Sequence, residues 1–151
     1  FGNQMALSLI RGPMIPDPDA DIGEHRFRYA LYPHAGDWRA ADTVAHAARF
    51  NRPLAWMPGA PPAILQASLV AASPVQVVVD TIKPAEDGEG WIVRLYESHG
   101  GWAEARLAFG VPVKNVWFSN TLEDRLAPVP LEAGGCTLTL RGFQIVTLRL
   151  I

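Results

Sequence analysis

A single cysteine, Cys136, rules out any disulfide within the chain and leaves at most one thiolate for a metal. A small strand residue half buried near a turn is the expected use of that side chain, because free cysteine is usually packed and inert. Excess positive charge is missing too. Thirteen Lys and Arg stand against fifteen Asp and Glu, a formal net charge of −2, so no field exists to gather phosphates or anionic lipid. Nucleic acid and membrane are therefore not expected partners. No apolar run approaches the ~18 residues of a membrane span, and no basic-then-apolar signal segment opens the sequence. The expectation is a soluble, cytoplasmic protein. His25, His34, His46 and His99 show neither His-Glu-x-x-His nor a Cys/His spacing that would clamp zinc, so no metal or cofactor is expected in this chain. A Gly-x-Ser-x-Gly elbow and a glycine-rich phosphate cradle are likewise absent.

What the sequence does hold is apolar content, 49% over 151 residues, enough for the core of one large or two small domains. Its periodicity is mostly that of strands. Residues 4–11 alternate Met5, Leu7 and Leu9 against polar or small neighbours, and residues 24–32 alternate His25, Phe27, Tyr29 and Leu31 against Arg26, Arg28, Ala30 and Tyr32. Because the first of these patterns begins almost at Phe1, the sequence reads as a fragment. Between them, three prolines, three aspartates and Gly23 in residues 13–23 favour an ordered loop. Asp37 is placed to cap the one substantial helix, near residues 38–51, whose alanine-dominated face (Ala40, Val44, Ala47, Ala48, Phe50) suits close packing on a sheet or another domain.

The Met57-Pro-Gly-Ala-Pro-Pro62 stretch resists regular structure and suits a seam between residues 1–60 and 61–151. Beyond it, residues 64–70, 75–83, 90–98, 102–109, 112–119, 136–140 and 143–150 read as short strands. Glu86-Asp87-Gly88 and His99-Gly100-Gly101 read as hairpin tips, and Gly134-Gly135 as the turn feeding the Cys136 strand. Short strands with glycine-rich turns predict an all-β fold, a β-sandwich.

Residues that invite chemistry each have a plainer use. Asp17, Asp19 and Asp21 begin like an EF-hand loop, but the sixth position is Ile22 and the twelfth Arg28, where calcium needs glycine and glutamate. Glu86, Asp87 and Glu89 fit a solvated turn. Among the five tryptophans, 38, 56, 91, 102 and 117, a sugar-stacking platform competes with core packing. Trp91 and Trp117 are expected buried and Trp102 exposed.

Several stretches together resemble the C-terminal region of bacterial glycoside hydrolase family 38 α-mannosidases: Leu7-Ser-Leu-Ile-Arg-Gly-Pro13, Pro16-Asp-Pro-Asp-Ala-Asp-Ile-Gly-Glu-His25 and Phe27-Arg-Tyr-Ala-Leu-Tyr-Pro-His-Ala-Gly-Asp-Trp38. The resemblance continues through Lys83-Pro-Ala-Glu-Asp-Gly88, Val93-Arg-Leu-Tyr-Glu97 and Phe143-Gln-Ile-Val-Thr-Leu-Arg149. It implies the end of a large β-supersandwich up to about residue 60, followed by a small terminal β-sandwich. It also implies a parent enzyme that hydrolyses α-mannosides with retention, using an aspartate nucleophile and zinc in an N-terminal catalytic domain that this sequence does not include. The implied partners are the parent's catalytic and helical domains, with the α-mannoside met only through the full-length enzyme.

No catalytic residue is assigned here. Arg11 is the one substrate-proximal candidate. By resemblance it lies near the catalytic pocket, where its planar fork would donate to substrate hydroxyls or a carboxylate. Its plainer use is a solvated charge or a partner for Asp17, Asp19 or Asp21. Unmet strand edges before residue 60 would also suit a homo-oligomer. The competing reading is a non-catalytic carbohydrate-binding or protein-interaction sandwich, and an autonomous small hydrolase is a third.

Overall fold

The computed structural model describes residues 3–52, 54–55, 58–59 and 68–151. The chain divides into two units, Phe1–Ala41 and Asp42–Ile151. Most of the expected seam at residues 57–62 and of the strand expected at 64–70 lies outside the described residues.

The second unit is the expected sandwich. Among the described residues it holds one helix, α1 (Thr43–Asn51), and eight strands: β1 (Val70–Ser73), β2 (Val77–Pro84), β3 (Trp91–Glu97), β4 (Ala103–Phe109), β5 (Val116–Ser119), β6 (Arg125–Val129), β7 (Gly135–Leu140) and β8 (Ile145–Leu150). They form two sheets, ordered β1-β4-β7 and β2-β3-β8-β5-β6, in which every pairing is antiparallel.

Alternation dictates which face is inside, because successive strand side chains point to opposite faces. In β4, Ala103, Ala105 and Leu107 are buried while Glu104 and Arg106 face out; in β7, Cys136, Leu138 and Leu140 are buried between exposed Thr137 and Thr139. Opposite them, Val93, Leu95, Val116, Val146, Leu148 and Leu150 close one contiguous core. Cys136 is a free thiol there, buried where half-burial is expected. Burial first, and the nearby Glu132 charge second, push it up to about 11, so it stays protonated and inert at neutral pH.

Four expectations need correction. Residues 4–11 and 24–32 belong to no ladder among the described residues, because alternation supplies a face and not a partner strand. His99-Gly100-Gly101 is not a hairpin tip; it carries the chain from β3 in one sheet to β4 in the other. Trp91 is exposed and Trp117 only half-buried, since Trp117 pairs with Arg149 and so lies on the sheet face away from the core. β6 was not foreseen. It contains Pro128, which a central strand would exclude, and it survives as the sheet's edge, paired with β5 alone.

The helix starts later than its cap residue. Asp37 Oδ1 accepts from the Arg39 and Ala40 amides at 3.0 and 2.8 Å, closing a turn, but Asp42 adopts φ 50°, and α1 begins only after it.

Candidate functional site

The most elaborate polar construction lies on the outer face of the five-stranded sheet. Arg149 of β8 is in phase with Lys83, Ile92 and Trp117 across the ladders. Its guanidinium is buried, and each arm has a partner: Nη2 meets both Asp87 carboxylate oxygens at 2.5 Å and the Glu89 carbonyl at 2.9 Å, and Nη1 donates to the Glu123 carbonyl at 3.1 Å. One side chain thus ties the β2–β3 turn to the β5–β6 turn. Arg125 meets Glu89 at 2.5 Å beside it. Lys83 bridges Glu123, at 2.7 Å, and Glu86, while Glu123 also accepts the Glu86 amide at 2.8 Å. Asp87 is held below the usual carboxylate range first by Arg149 and then by the Glu89 amide; Glu123 is lowered first by Lys83 and then by the Glu86 amide. The acidic triplet of the β2–β3 tip therefore latches two turns instead of standing free in solvent.

A second latch sits at the opposite end of β3. Glu97 is fully buried, and its carboxylate accepts the amides of His99 at 2.9 Å, Gly100 at 2.7 Å and Phe143 at 3.0 Å. Burial alone would raise its pKa. Those amides outweigh burial and leave it lowered. Its place was legible in principle, for Glu97 continues the core-facing phase of Val93 and Leu95; a charge in that phase must be paired or hydrogen-bonded. Arg149 offered less warning, since its partners lie about sixty residues away in sequence.

A groove of about 380 Å³ runs between α1 and the outer face of β2 and β3, lined by Val44, Ala47, Ala48, Val78, Asp80 and Tyr96 among others. The β2 bulge between Val79 and Thr81 turns Asp80 toward Arg52, which pairs with its carboxylate and donates to its carbonyl at 2.9 Å. The alanine face of α1 thus borders a groove rather than closing onto the sheet.

Arg11 lies in the first unit, exposed, and among the described residues it makes no ion pair with Asp17, Asp19 or Asp21. Asp17 Oδ1 caps the Asp19 amide at 3.0 Å, a local turn. No group of three or more His, Cys, Asp or Glu among the described residues converges as a metal site would.

No helix among the described residues is long and apolar enough to cross a membrane.

A two-sheet antiparallel sandwich whose buried charges secure its own turns defines a β-sandwich module. Residues 76–148 match the glycosyl hydrolases family 38 C-terminal beta sandwich domain. The similarity to named relatives covers more of the chain. It is 36% identical over 157 residues to alpha-mannosidase 2C1 of Mus musculus, covering 99% of this chain, and 30% identical over 159 residues to alpha-mannosidase G of Dictyostelium discoideum, covering all of it. With the alpha-mannosidase of Saccharomyces cerevisiae it shares 32% identity over 81% of the chain. These stretches are 15%, 14% and 13% of the respective relatives, so the chain spans about one seventh of their length.

Proposed function

We infer that this chain is the C-terminal β-sandwich portion of a retaining α-mannosidase and that its part in that enzyme is structural. The observation that carries the reading is the similarity to α-mannosidases along the whole chain, including the first forty residues that the domain match does not reach. The charged groups support it. Retaining hydrolysis requires two carboxyl groups about 5 to 5.5 Å apart across a sugar site, with one free to attack and one to give up a proton. Here the two buried acids, Glu97 and Glu123, are committed to backbone amides and to Lys83. In this reading the zinc and the nucleophile lie elsewhere in the parent polypeptide, and the parent's catalytic and helical domains are the partners.

The test is turnover of an aryl α-mannoside, with metal analysis, by the 151-residue chain and by its parent enzyme. The parent is expected to hydrolyse the substrate with retention and the chain to show neither turnover nor stoichiometric zinc. Turnover by a chain preparation free of parent enzyme would overturn the structural role.

Arg11 would be the contact this segment lends to the active site. Loss of a charge-assisted hydrogen bond to substrate or to an active-site carboxylate should lower kcat/KM of the parent by about 1.5 to 3 kcal/mol in Arg11→Ala, without loss of folding. Arg11→Lys, which keeps the charge but not the planar fork, should fall as well. Unchanged kinetics in both variants would return Arg11 to the solvated surface.

A further inference from the structure

The turn joining β7 to β8 is built against its own backbone preference. The Gln144 amide donates to the Arg141 carbonyl at 3.1 Å, closing a four-residue turn whose third residue, Phe143, has φ 59°. That left-handed position favours glycine, and a bulky aromatic there is an outlier. Glycine instead occupies the second position. A Cβ on Gly142 would lie 2.7 Å from the Gly100 backbone, so the two turns touch only because both carry glycine; a Cβ on Gly100 would lie 2.7 Å from the Phe143 ring. The ring is thus laid over Gly100 while Glu97 holds the Phe143, His99 and Gly100 amides from beneath.

Burial does not repay this strain, because Phe143 remains 65% exposed. Trp102, two residues after Gly100, is 72% exposed. Strain held at an exposed, rigidly backed aromatic is the mark of a site kept for recognition rather than for stability.

We propose that the Phe143 and Trp102 rings, standing on the two glycine turns at this end of the sandwich, form a stacking platform for a pyranoside. Area decides the class of ligand. Two rings of roughly 200 Å² each, about two-thirds exposed, present roughly 300 Å², a match for one or two sugar rings and well short of the ~800 Å² that each partner gives to a protein interface. The apolar C–H face of a pyranose fits an aromatic face, and Arg141, exposed and without an ion pair among the described residues, offers a planar donor for its hydroxyls. The inference rests on the α-mannosidase reading only for the choice of mannose as the first sugar.

The test is an amide NMR titration of the 151-residue chain with methyl α-mannopyranoside, methyl α-glucopyranoside and an α-linked mannobiose. Saturable shifts confined to residues 99–103 and 141–145 are expected, with a dissociation constant of about 1 mM, about what a shallow platform supports. Trp102→Ala should weaken binding about tenfold. Phe143→Gly is the sharper variant: it should weaken binding at least as much yet leave the melting temperature unchanged or higher, since glycine is at home in that conformation. No saturable shift at about ten times that concentration, undiminished binding by Phe143→Gly, or a lowered melting temperature in that variant would each overturn the platform. Shifts that follow protein concentration instead of sugar would reassign the rings to a contact between copies. Binding of the glucoside but not the mannosides would uphold the platform while counting against the mannose reading, and parent turnover without sugar binding here would strike the platform alone.

Discussion

In β4 every second side chain from Ala103 to Leu107 is buried, whereas in residues 24–32, which alternate as regularly, every residue is exposed. The two units of this chain thus start from the same period-2 code. What separates them is pairing. β4 is held between β1 and β7, so its amides and carbonyls are consumed in ladders and its apolar face meets a second sheet. In the first unit, hydrogen bonds such as those of the Asp19 amide to Asp17, His25 with the Asp21 carbonyl and Tyr32 to the Ala41 carbonyl are local. Met5, Leu7, Leu9, Phe27, Tyr29 and Leu31 stand in solvent. An apolar face is a demand for a partner, and only the second unit meets that demand from within its own strands.

The comparison breaks hardest at Glu97. Glu97→Leu removes the acceptor of three amides inside the sandwich and leaves them unpaired, at a cost of about 3 kcal/mol or more and a fall in melting temperature of roughly 10 °C. Glu97→Gln keeps an acceptor oxygen and should lose about half as much. The pH response has a definite sign. The folded-state pKa of Glu97 is depressed, so the folded protein binds the proton less readily than the unfolded chain. Its contribution is therefore complete above the ordinary glutamate value of 4.5 and is lost as pH falls through the lower folded value. Melting temperatures followed from pH 7 to pH 3 should fall less steeply in Glu97→Gln than in the parent sequence. Parallel curves would mean that the latch carries no such charge.

The same contrast explains what could be read from sequence. Six of the eight described strands are legible because alternation and bounding turns are local properties, and the core they form follows from phase; β1 begins at Val70, where the strand expected at 64–70 ends. β6 stayed hidden because Pro128 argues against a strand unless one knows that the strand is an edge. The His99-Gly100-Gly101 turn was read as a hairpin because glycines mark a reversal but do not say whether the chain returns to the same sheet. Glu97 is legible in principle as a charge in the core phase of Val93 and Leu95, although the sequence reading does not single it out. The pairing of Arg149 with Asp87 and Glu89 required the fold itself, since loops far apart in sequence meet only once β3 and β8 lie side by side. Phe143 is the instructive case, because it reads as the first residue of the strand expected at 143–150, whereas β8 starts at Ile145 and the dihedral angle places Phe143 in the preceding turn.

The smallest expected effect is the one that sharpens the comparison most. Leu7 and Leu31 are 64% and 76% exposed. Leu7→Ser and Leu31→Ser remove apolar surface that is already in water, so in the 151-residue chain each should change the stability of the sandwich by less than about 0.5 kcal/mol. If the parent enzyme covers these faces, the same substitutions there should cost about 1.5 to 3 kcal/mol each, the value of burying such a side chain. Denaturation of both proteins with each variant measures the difference directly, and sedimentation of the chain shows whether a second copy stands in for the missing cover. An equal and large loss in the isolated chain would mean that the first unit already supports the sandwich, and the separation drawn between the two units would fail. Equal and negligible effects in both proteins would mean that these leucines face solvent even in the parent, and the alternation of residues 4–11 and 24–32 would have no partner to explain it.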